Sequence, residues 1–233
     1  MNSNRKSYSW QRVNCSYEKG LYMRIERVES LDKRKCKVFT DEDFAFLLYN
    51  GELEKYGVCE GAVLEERTER ELLDLLSRRA HERALNLLKV QDRTEGEMCR
   101  RLFQDGYPDS IVQETIGFLQ EYHFVDDARY AANYLQVHGK RKSQAELKLY
   151  LQRKGISREI IREQLEETEH DSGEAIRVLL EKKHYRAGET APEEKKKIIA
   201  YLMRRGFSWE DIRREMKEQE DALGCLSIPL SVP

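Results

Sequence analysis

The sequence predicts a mainly α-helical protein of tandem three-helix repeats in an elongated, curved array, preceded by a small β-containing N-terminal module. A motif that recurs three times, helical spacing of apolar residues and a composition rich in charge support this prediction. Charged residues make up 36% of the chain, against about 25% in typical globular domains, and hydrophobic residues make up 39%. Such a composition favours thin helical layers in which each helix buries one stripe and exposes the rest.

The recurring motif consists of two short helices joined at a glycine. In its middle copy, SQAELKLYLQRKGISREIIREQL, Ser143 and Glu146 are spaced as a capping box, and Gly155 stands where a helix ends in the left-handed conformation. An upstream copy, TEGEMCRRLFQDGYPDSIVQETI, and a downstream copy, EKKKIIAYLMRRGFSWEDIRREM, place Gly106 and Gly206 at the same position. The three glycines recur about every 50 residues, a period typical of a repeat array.

Each repeat is expected to comprise three helices that are stable only when neighbouring repeats share their faces. Residues 65–90 have helical spacing throughout, with a possible break near Ser77, and the second half of this segment opens the first repeat. We expect six segments: a flexible N-terminal tail (1–20), a module of strands and a helix (21–77), three-helix repeats at 78–125, 126–170 and 171–220, and a flexible C-terminal tail (221–233).

The N-terminal module is predicted to hold three short strands. Imperfect alternation over residues 21–28, a turn at Asp32–Lys35 and a return strand at Cys36–Phe39 indicate a hairpin. The apolar run Phe44–Tyr49 predicts a third strand, and a short helix is expected to begin at Asn50. Three short strands are marginally stable alone, so the module should pack on the helical segment after it.

The composition of the chain indicates its cellular compartment and excludes some kinds of partner. The five cysteines are scattered and none forms a C-x-x-C pair, which indicates a reducing compartment. No apolar run has the length of a signal peptide or of a membrane span. The sequence therefore predicts a soluble, cytoplasmic protein with no membrane partner. A net charge of −2 provides no global field that would attract nucleic acid.

Charge is nevertheless unevenly distributed along the chain. Acidic residues dominate 41–74, whereas basic residues dominate 129–162. On a three-helix repeat these basic residues can converge near one edge, where they would bind phosphates or an acidic partner without reading sequence. The candidate residues for partner or DNA binding are Lys140, Arg141, Lys142, Lys148, Arg153, Lys154, Arg158, Lys195, Lys196, Arg204 and Arg205.

A purely structural interpretation of these cations stays open. Charged residues commonly form the solvated face of a helix, and cations near a helix C-terminus, such as Arg153 and Lys154, also interact favourably with the macrodipole. The cations around residues 195–205 form a weaker second group of candidates.

Other residue types indicate structural roles. Asp126 and Asp127 precede a predicted helix, where aspartate is an ordinary N-cap, and Cys99 lies on an apolar helix face. The histidines lack metal-ligand spacing, and no nucleotide-binding motif is present, so no catalytic residue, metal or cofactor is predicted. Seven aromatic residues could stack on bases, but their repeat positions favour packing between helices: Tyr107, Tyr122, Phe124, Tyr130, Tyr134, Tyr150 and Phe207.

Four runs, taken in their order and spacing, carry a family resemblance. The runs ALNLLKVQDRTEGEMCRRL, FVDDARYAANYL, ELKLYLQRKGIS and EKKKIIAYLMRRGFSWEDI resemble the RecX regulatory proteins over about residues 21–220. The resemblance implies tandem three-helix repeats and binding to the RecA recombinase and its filament on single-stranded DNA. RecX proteins chiefly inhibit filament extension, ATP hydrolysis and strand exchange. The segment Gly139–Ser143 departs from the family's K-G-x-G-like turn but keeps its basic character.

We therefore expect a monomeric regulator without enzymatic activity, acting in recombination and DNA repair. Its expected partners are the RecA filament and the phosphates of single-stranded DNA, contacted weakly or through the filament. Two other classes stay open: a nucleic-acid-binding protein that acts without RecA, and a helical protein adaptor without DNA affinity. Binding that weakens steeply with salt would favour the first of these.

Overall fold

The structure, a computed structural model, describes residues 23–41, 45–168 and 171–226, with side chains described up to residue 222. The chain divides into two compact units, Met1–Asp74 and Leu75–Pro233. The predicted N-terminal tail, residues 1–20, lies outside the described residues.

The first unit contains the three predicted strands. Strands β1 (Ile25–Ser30), β2 (Lys35–Thr40) and β3 (Ala45–Tyr49) form an antiparallel sheet in the order β1-β2-β3. Helix α1 (Asn50–Tyr56) follows directly and ends at Gly57, whose φ is 62°. The expected β-containing module is therefore confirmed.

Local hydrogen bonds and alternation explain this sheet. The Asp32 carboxylate accepts hydrogen bonds from the amides of Arg34, at 2.7 Å, and Lys35, at 2.9 Å, which closes the turn between β1 and β2. Val38 and Phe46 are at most 1% exposed and are paired across β2 and β3, so one face of the sheet is apolar and buried.

Helix α2 (Glu66–Leu88) is continuous over 23 residues. The break that the sequence allowed near Ser77 does not occur. The Ser77 side chain donates a hydrogen bond to the carboxylate of Glu114 at 2.6 Å, so this polar residue is satisfied while it is buried within an uninterrupted helix.

Eight further helices complete the helical part of the described chain. They are α3 (Glu95–Gln104), α4 (Asp109–Glu121), α5 (Asp127–His138), α6 (Gln144–Lys154), α7 (Arg158–Glu167), α8 (Ser172–Lys182), α9 (Pro192–Arg204) and α10 (Trp209–Leu226), with a 3₁₀ turn at Gly139–Arg141. The mainly α-helical fold class predicted from the sequence is confirmed.

Each set of three helices has its own apolar core, formed by the aligned positions of the repeated motif. The position four residues before each glycine is fully buried, and those eight before and six after it are at most 5% exposed. These positions are Met98, Leu102 and Val112, then Leu147, Leu151 and Ile161, then Ile198, Leu202 and Ile212. The apolar alignment therefore identified the core correctly.

The helix starts were largely predictable from single capping residues. Thr94, Ser143 and Ser157 each accept a hydrogen bond from the amide three residues later, and Asp126 does the same for α5. Ser143 and Glu146 form the predicted capping box.

Helices α9 and α10 differ from the expectation. Helix α9 begins at Pro192, before the motif that starts at residue 194, because proline suits the first turn of a helix. Helix α10 continues to Leu226 and so includes residues 221–226 of the expected C-terminal tail. The remaining residues of that predicted tail, 227–233, lie outside the described residues. Within the described ranges, no helix is both long enough and apolar enough to span a lipid bilayer.

Candidate nucleic-acid interface

Five of the eleven basic candidate residues lie within three residues of the glycines that follow α6 and α9: Arg153, Lys154, Arg158, Arg204 and Arg205. Gly106, Gly155 and Gly206 have φ angles of 85°, 99° and 84°, so the predicted left-handed conformation is confirmed at Gly155 and holds in all three copies. Gly155 and Gly206 also pack on the preceding repeat, which forms two junctions.

The first junction joins α3 to the end of α6. The Thr94 hydroxyl caps α3 and donates a hydrogen bond to the carbonyl of Lys154 at 2.6 Å. A Cβ atom at Gly155 would lie 3.0 Å from the Cα of Gly96, so the two backbones are in close contact. Beside them, the Lys154 Nζ lies 2.6 Å from the Glu97 carboxylate.

The second junction repeats this arrangement between α6 and the end of α9. The Ser143 hydroxyl caps α6 and donates a hydrogen bond to the carbonyl of Arg205. The Arg205 guanidinium forms two hydrogen bonds of 2.8 Å with the carboxylate of Glu146. Gly206 packs on Ala145, whose Cβ would lie only 2.6 Å from a Cβ at Gly206.

At both ends of the array the charges of this junction are reversed. Asp105 precedes Gly106, at the position that Lys154 and Arg205 occupy in the later repeats, and it pairs with Arg83 at 2.6 Å. In the third copy, Lys197 occupies the position of Glu97 and Glu146 when the repeats are aligned by their glycines. Asp105 and Lys197 therefore each carry the opposite charge to the residues that form the ion pair at the two junctions.

The surroundings of Lys154 and Arg205 at the two junctions favour the charged forms of both side chains. Burial opposes ionisation of Lys154, but the hydrogen bond and the charge of Glu97 outweigh it and raise the pKa of the ammonium. The hydrogen bond that Arg205 donates to the Glu146 carboxylate likewise raises the pKa of Arg205. These two candidate residues therefore hold neighbouring repeats together.

Several other candidates also have partners. Lys140 lies 3.1 Å from a Glu174 carboxylate oxygen, and the Lys142 ammonium lies beside the rings of Tyr134 and Tyr150, at 5.0 and 5.4 Å from their centroids. The remaining paired candidates are Lys148 with Gln144 at 3.3 Å, Lys195 with Glu220 at 2.7 Å, and Lys196 with Glu193 at 3.0 Å.

Four candidate arginines are exposed: Arg141, Arg153, Arg158 and Arg204. Within the described part of the chain, no carboxylate lies within ion-pairing distance of any of them. An exposed guanidinium without an internal carboxylate is available to bind an external anion.

The structure brings Arg153 and Lys154 together with three arginines that the sequence analysis did not select. Arg93, Arg100 and Arg101 line one cleft with them. These arginines were missed because the acidic residues Asp92, Glu95, Glu97 and Asp105 mask them in a running count of charge. A search for cations on one face of α3 would have found Arg100 and Arg101.

The other predicted roles have mixed outcomes. Cys99 is buried in the core of the first repeat, and burial raises the pKa of its thiol to about 11. Besides the cap at Asp126, the Asp127 carboxylate accepts a hydrogen bond from the Glu95 amide at 2.9 Å, and burial raises the pKa of Asp127. Tyr122 and Phe124 remain 60% and 46% exposed, and their rings lie 4.9 and 6.3 Å from that of Phe118 on α4, so both are only partly packed.

We predict that Arg205→Lys lowers the free energy of unfolding by about 1 kcal/mol, because lysine lacks the planar fork that binds Glu146 through two hydrogen bonds. The matched control is Arg204→Lys, since Arg204 is exposed and keeps its charge. Urea denaturation monitored by circular dichroism measures both. Equal effects of the two substitutions would contradict a structural role for Arg205.

Comparison with known proteins places this arrangement in a family. Residues 80–119, 126–165 and 171–216 match the first, second and third three-helix domains of RecX, which together cover more than half of the chain. The regulatory protein RecX of Clostridium acetobutylicum is 28% identical over 203 residues, which span 83% of this chain and 95% of the relative. That of Clostridium tetani is 33% identical over 135 residues, 56% of this chain and 62% of the relative.

Solved structures share the fold. A crystal structure of regulatory protein RecX aligns with a TM-score of 0.56 and 21% identity over 84% of this chain and 99% of that chain. A RecX structure from Lactobacillus salivarius aligns with a TM-score of 0.55 and 21% identity over 63% of this chain and 97% of that chain.

Proposed function

Because this chain belongs to the RecX family, we propose that it regulates the RecA recombinase by binding RecA and its filament on single-stranded DNA. The binding inhibits filament extension, ATP hydrolysis and strand exchange. The relatives that it matches are named regulatory proteins, which agrees with a regulatory rather than a catalytic role.

The observation that supports this proposal most directly is the division of the basic residues into two sets. Lys154 and Arg205 form ion pairs between repeats, whereas Arg141, Arg153 and Arg158 are exposed and have no carboxylate partner among the described residues. The first set fixes the repeats against one another. The second set is then presented at fixed spacing, which suits a periodic, negatively charged partner such as a nucleoprotein filament.

The inhibition is expected to follow from this rigidity. ATP turnover and strand exchange require RecA subunits to change their relative positions. A chain whose repeats are joined by hydrogen bonds, ion pairs and close backbone contact cannot follow such movements without breaking them. Binding therefore favours the arrangement of RecA subunits to which this chain binds more tightly. The difference in affinity between the two arrangements sets the size of this effect.

We predict that the triple variant Arg141→Ala, Arg153→Ala and Arg158→Ala needs about tenfold more protein for half-inhibition of RecA ATPase. Three exposed charge contacts of about 0.5 kcal/mol each amount to roughly this factor. Lys154 is left in place because its loss would disturb the first junction. The measurement is ATP hydrolysis by the RecA of the same organism on single-stranded DNA.

The control removes two exposed cations from the third repeat by Arg213→Ala and Lys217→Ala on α10, and it is compared with the double variant Arg153→Ala and Arg158→Ala as well as with the triple variant. The changes on α10 should leave the inhibition within about twofold of the unmodified protein, since exposed charges away from the partner contribute little. Unchanged inhibition by the triple variant would rule out the proposed surface. Absence of any inhibition by the unmodified protein would rule out the proposed function.

A further inference from the structure

A cleft of about 580 Å³ opens beside the first junction, between α3 and α6. Arg93, Arg100, Arg101, Arg153 and Lys154 line it, and Glu97 is the one acidic residue of its lining. Residues from two repeats therefore contribute five cations to one concave site.

The cleft has an excess of positive charge after its internal ion pairs are taken into account. Lys154 neutralises Glu97 at 2.6 Å, and Arg101 lies 3.5 Å from the carboxylate of Asp105. The other three guanidiniums, those of Arg93, Arg100 and Arg153, have no carboxylate within ion-pairing distance among the described residues.

Arg100 is held in place by neutral groups. Its guanidinium donates hydrogen bonds to the carbonyls of Gly96 at 3.0 Å, Lys154 at 3.2 Å and Arg153 at 3.4 Å. These carbonyls end α6 and begin α3, so they orient the guanidinium, and the partial negative charge at the end of α6 offsets only part of its positive charge. A fixed guanidinium at the wall of a cleft, with no carboxylate beside it, is suited to bind an anion.

Arg93 provides a second, independent indication of a ligand. Its Nε is buried and has no hydrogen-bond partner within the described ranges. Buried polar groups are almost always hydrogen-bonded, since an unsatisfied donor costs roughly 1–3 kcal/mol when no partner replaces water. Arg93 also lines the cleft, so its guanidinium is a candidate donor to an acceptor that binds there.

We propose that this cleft binds neighbouring phosphate groups of single-stranded DNA, with Arg93, Arg100 and Arg153 as their ligands. Arginine forks match the geometry of phosphate oxygens. Tyr150, whose ring is stacked on that of Tyr134, also lines the cleft. The proposal deepens the proposed function by naming a DNA contact, and it requires direct binding of DNA by this chain in the absence of RecA.

The test is fluorescence anisotropy with a labelled oligothymidylate, without RecA, at several salt concentrations. The double variant Arg93→Gln and Arg153→Gln should bind about tenfold more weakly, because two charge contacts that are screened by solvent are lost. The slope of log affinity against log salt should become shallower by about 1.4, since each neutralised phosphate on a single strand contributes about 0.7.

The control variant Arg213→Gln and Lys217→Gln makes the same change of charge on α10 and should keep the original slope. Because the Arg93 Nε is buried, its replacement could disturb folding. Arg153→Gln alone is therefore included, since the Arg153 side chain is exposed. This single change should reduce the slope by about 0.7.

Competition distinguishes the sources of the anion. Inorganic pyrophosphate should displace the oligonucleotide from the unmodified protein, whereas polyglutamate at equal charge should displace it far less. Stronger displacement by polyglutamate would overturn the proposal in favour of an acidic peptide. Equal losses in the cleft and control variants, or no binding of oligonucleotide or pyrophosphate, would also overturn it. The RecA ATPase assay then shows independently whether the proposed regulation persists.

Discussion

Replacing Gly155 with alanine is expected to lower the free energy of unfolding by about 3 kcal/mol. Gly155 has a φ of 99°, a conformation that costs a residue with a Cβ roughly 1–2 kcal/mol. The new Cβ would also lie 3.0 Å from the Cα of Gly96, and relief of such overpacking typically costs about 1–3 kcal/mol. Because the neighbouring atom belongs to the backbone, a change of side-chain rotamer cannot relieve the contact.

The matched control is Gly117→Ala in α4. An added Cβ at Gly117 meets no atom within 4 Å, and alanine is favoured over glycine within a helix by about 1 kcal/mol. Urea denaturation should therefore show opposite shifts for the same chemical change at the two positions. If Gly155→Ala were as stable as Gly117→Ala, the close contact between α3 and the end of α6 would be wrong.

The Gly155 substitution is also expected to change the cooperativity of unfolding. In repeat proteins, stability is approximately the sum of the repeats and their interfaces, so a weakened junction lets neighbouring repeats unfold separately. Denaturation of the variant should become broader or resolve into two steps, with a lower apparent m-value.

The second large effect is expected from replacing Ser143 with alanine, which should lower the free energy of unfolding by about 2–3 kcal/mol. The Ser143 hydroxyl accepts a hydrogen bond from the Glu146 amide at 3.1 Å, and loss of such a cap costs about 1 kcal/mol. The same hydroxyl donates to the carbonyl of Arg205, which would be left unsatisfied at a buried junction. An unsatisfied buried acceptor adds roughly 1–2 kcal/mol.

Ser157→Ala serves as the control because Ser157 caps α7 in the same way. Its hydroxyl accepts a hydrogen bond from the Ile160 amide at 3.2 Å, but Ser157 is exposed. This variant should therefore lose only the cap, about 1 kcal/mol. Thermal or urea denaturation measures the difference between the two serines, and a difference near zero would refute the hydrogen bond between repeats at Ser143.

The features that the sequence predicted are those that depend on a few neighbouring residues. A hydroxyl three residues before an amide forms a cap, as at Thr94 and Ser143, and a glycine after a helix takes the left-handed conformation, as at Gly155. Apolar residues at helical spacing identified the core, because periodicity places them on one face. The start of α9, which Pro192 marks ahead of the repeated motif, and the end of α10, which no single residue fixes, were predicted less well.

The candidate interface was only partly predictable. Counting charges along the chain selected Lys154 and Arg205 as binding residues, whereas each forms an ion pair with a glutamate more than 50 residues away. The same count overlooked Arg93 and Arg100, because neighbouring acidic residues offset their charge in a count along the sequence. In the folded chain, Glu97 is the one acidic residue that lines the cleft with these two arginines.

The helices, their caps, the glycine turns and the threefold repeat can all be read from the amino-acid sequence, since they depend on interactions over one or two helical turns. The separation of the cations into those that support the fold and those that remain exposed arises in the folded chain, because it depends on partners in another repeat. Docking of α6 on α3 brings Gly155 against Gly96 and places Lys154 beside Glu97. The same docking forms the cleft that holds Arg93, Arg100 and Arg153.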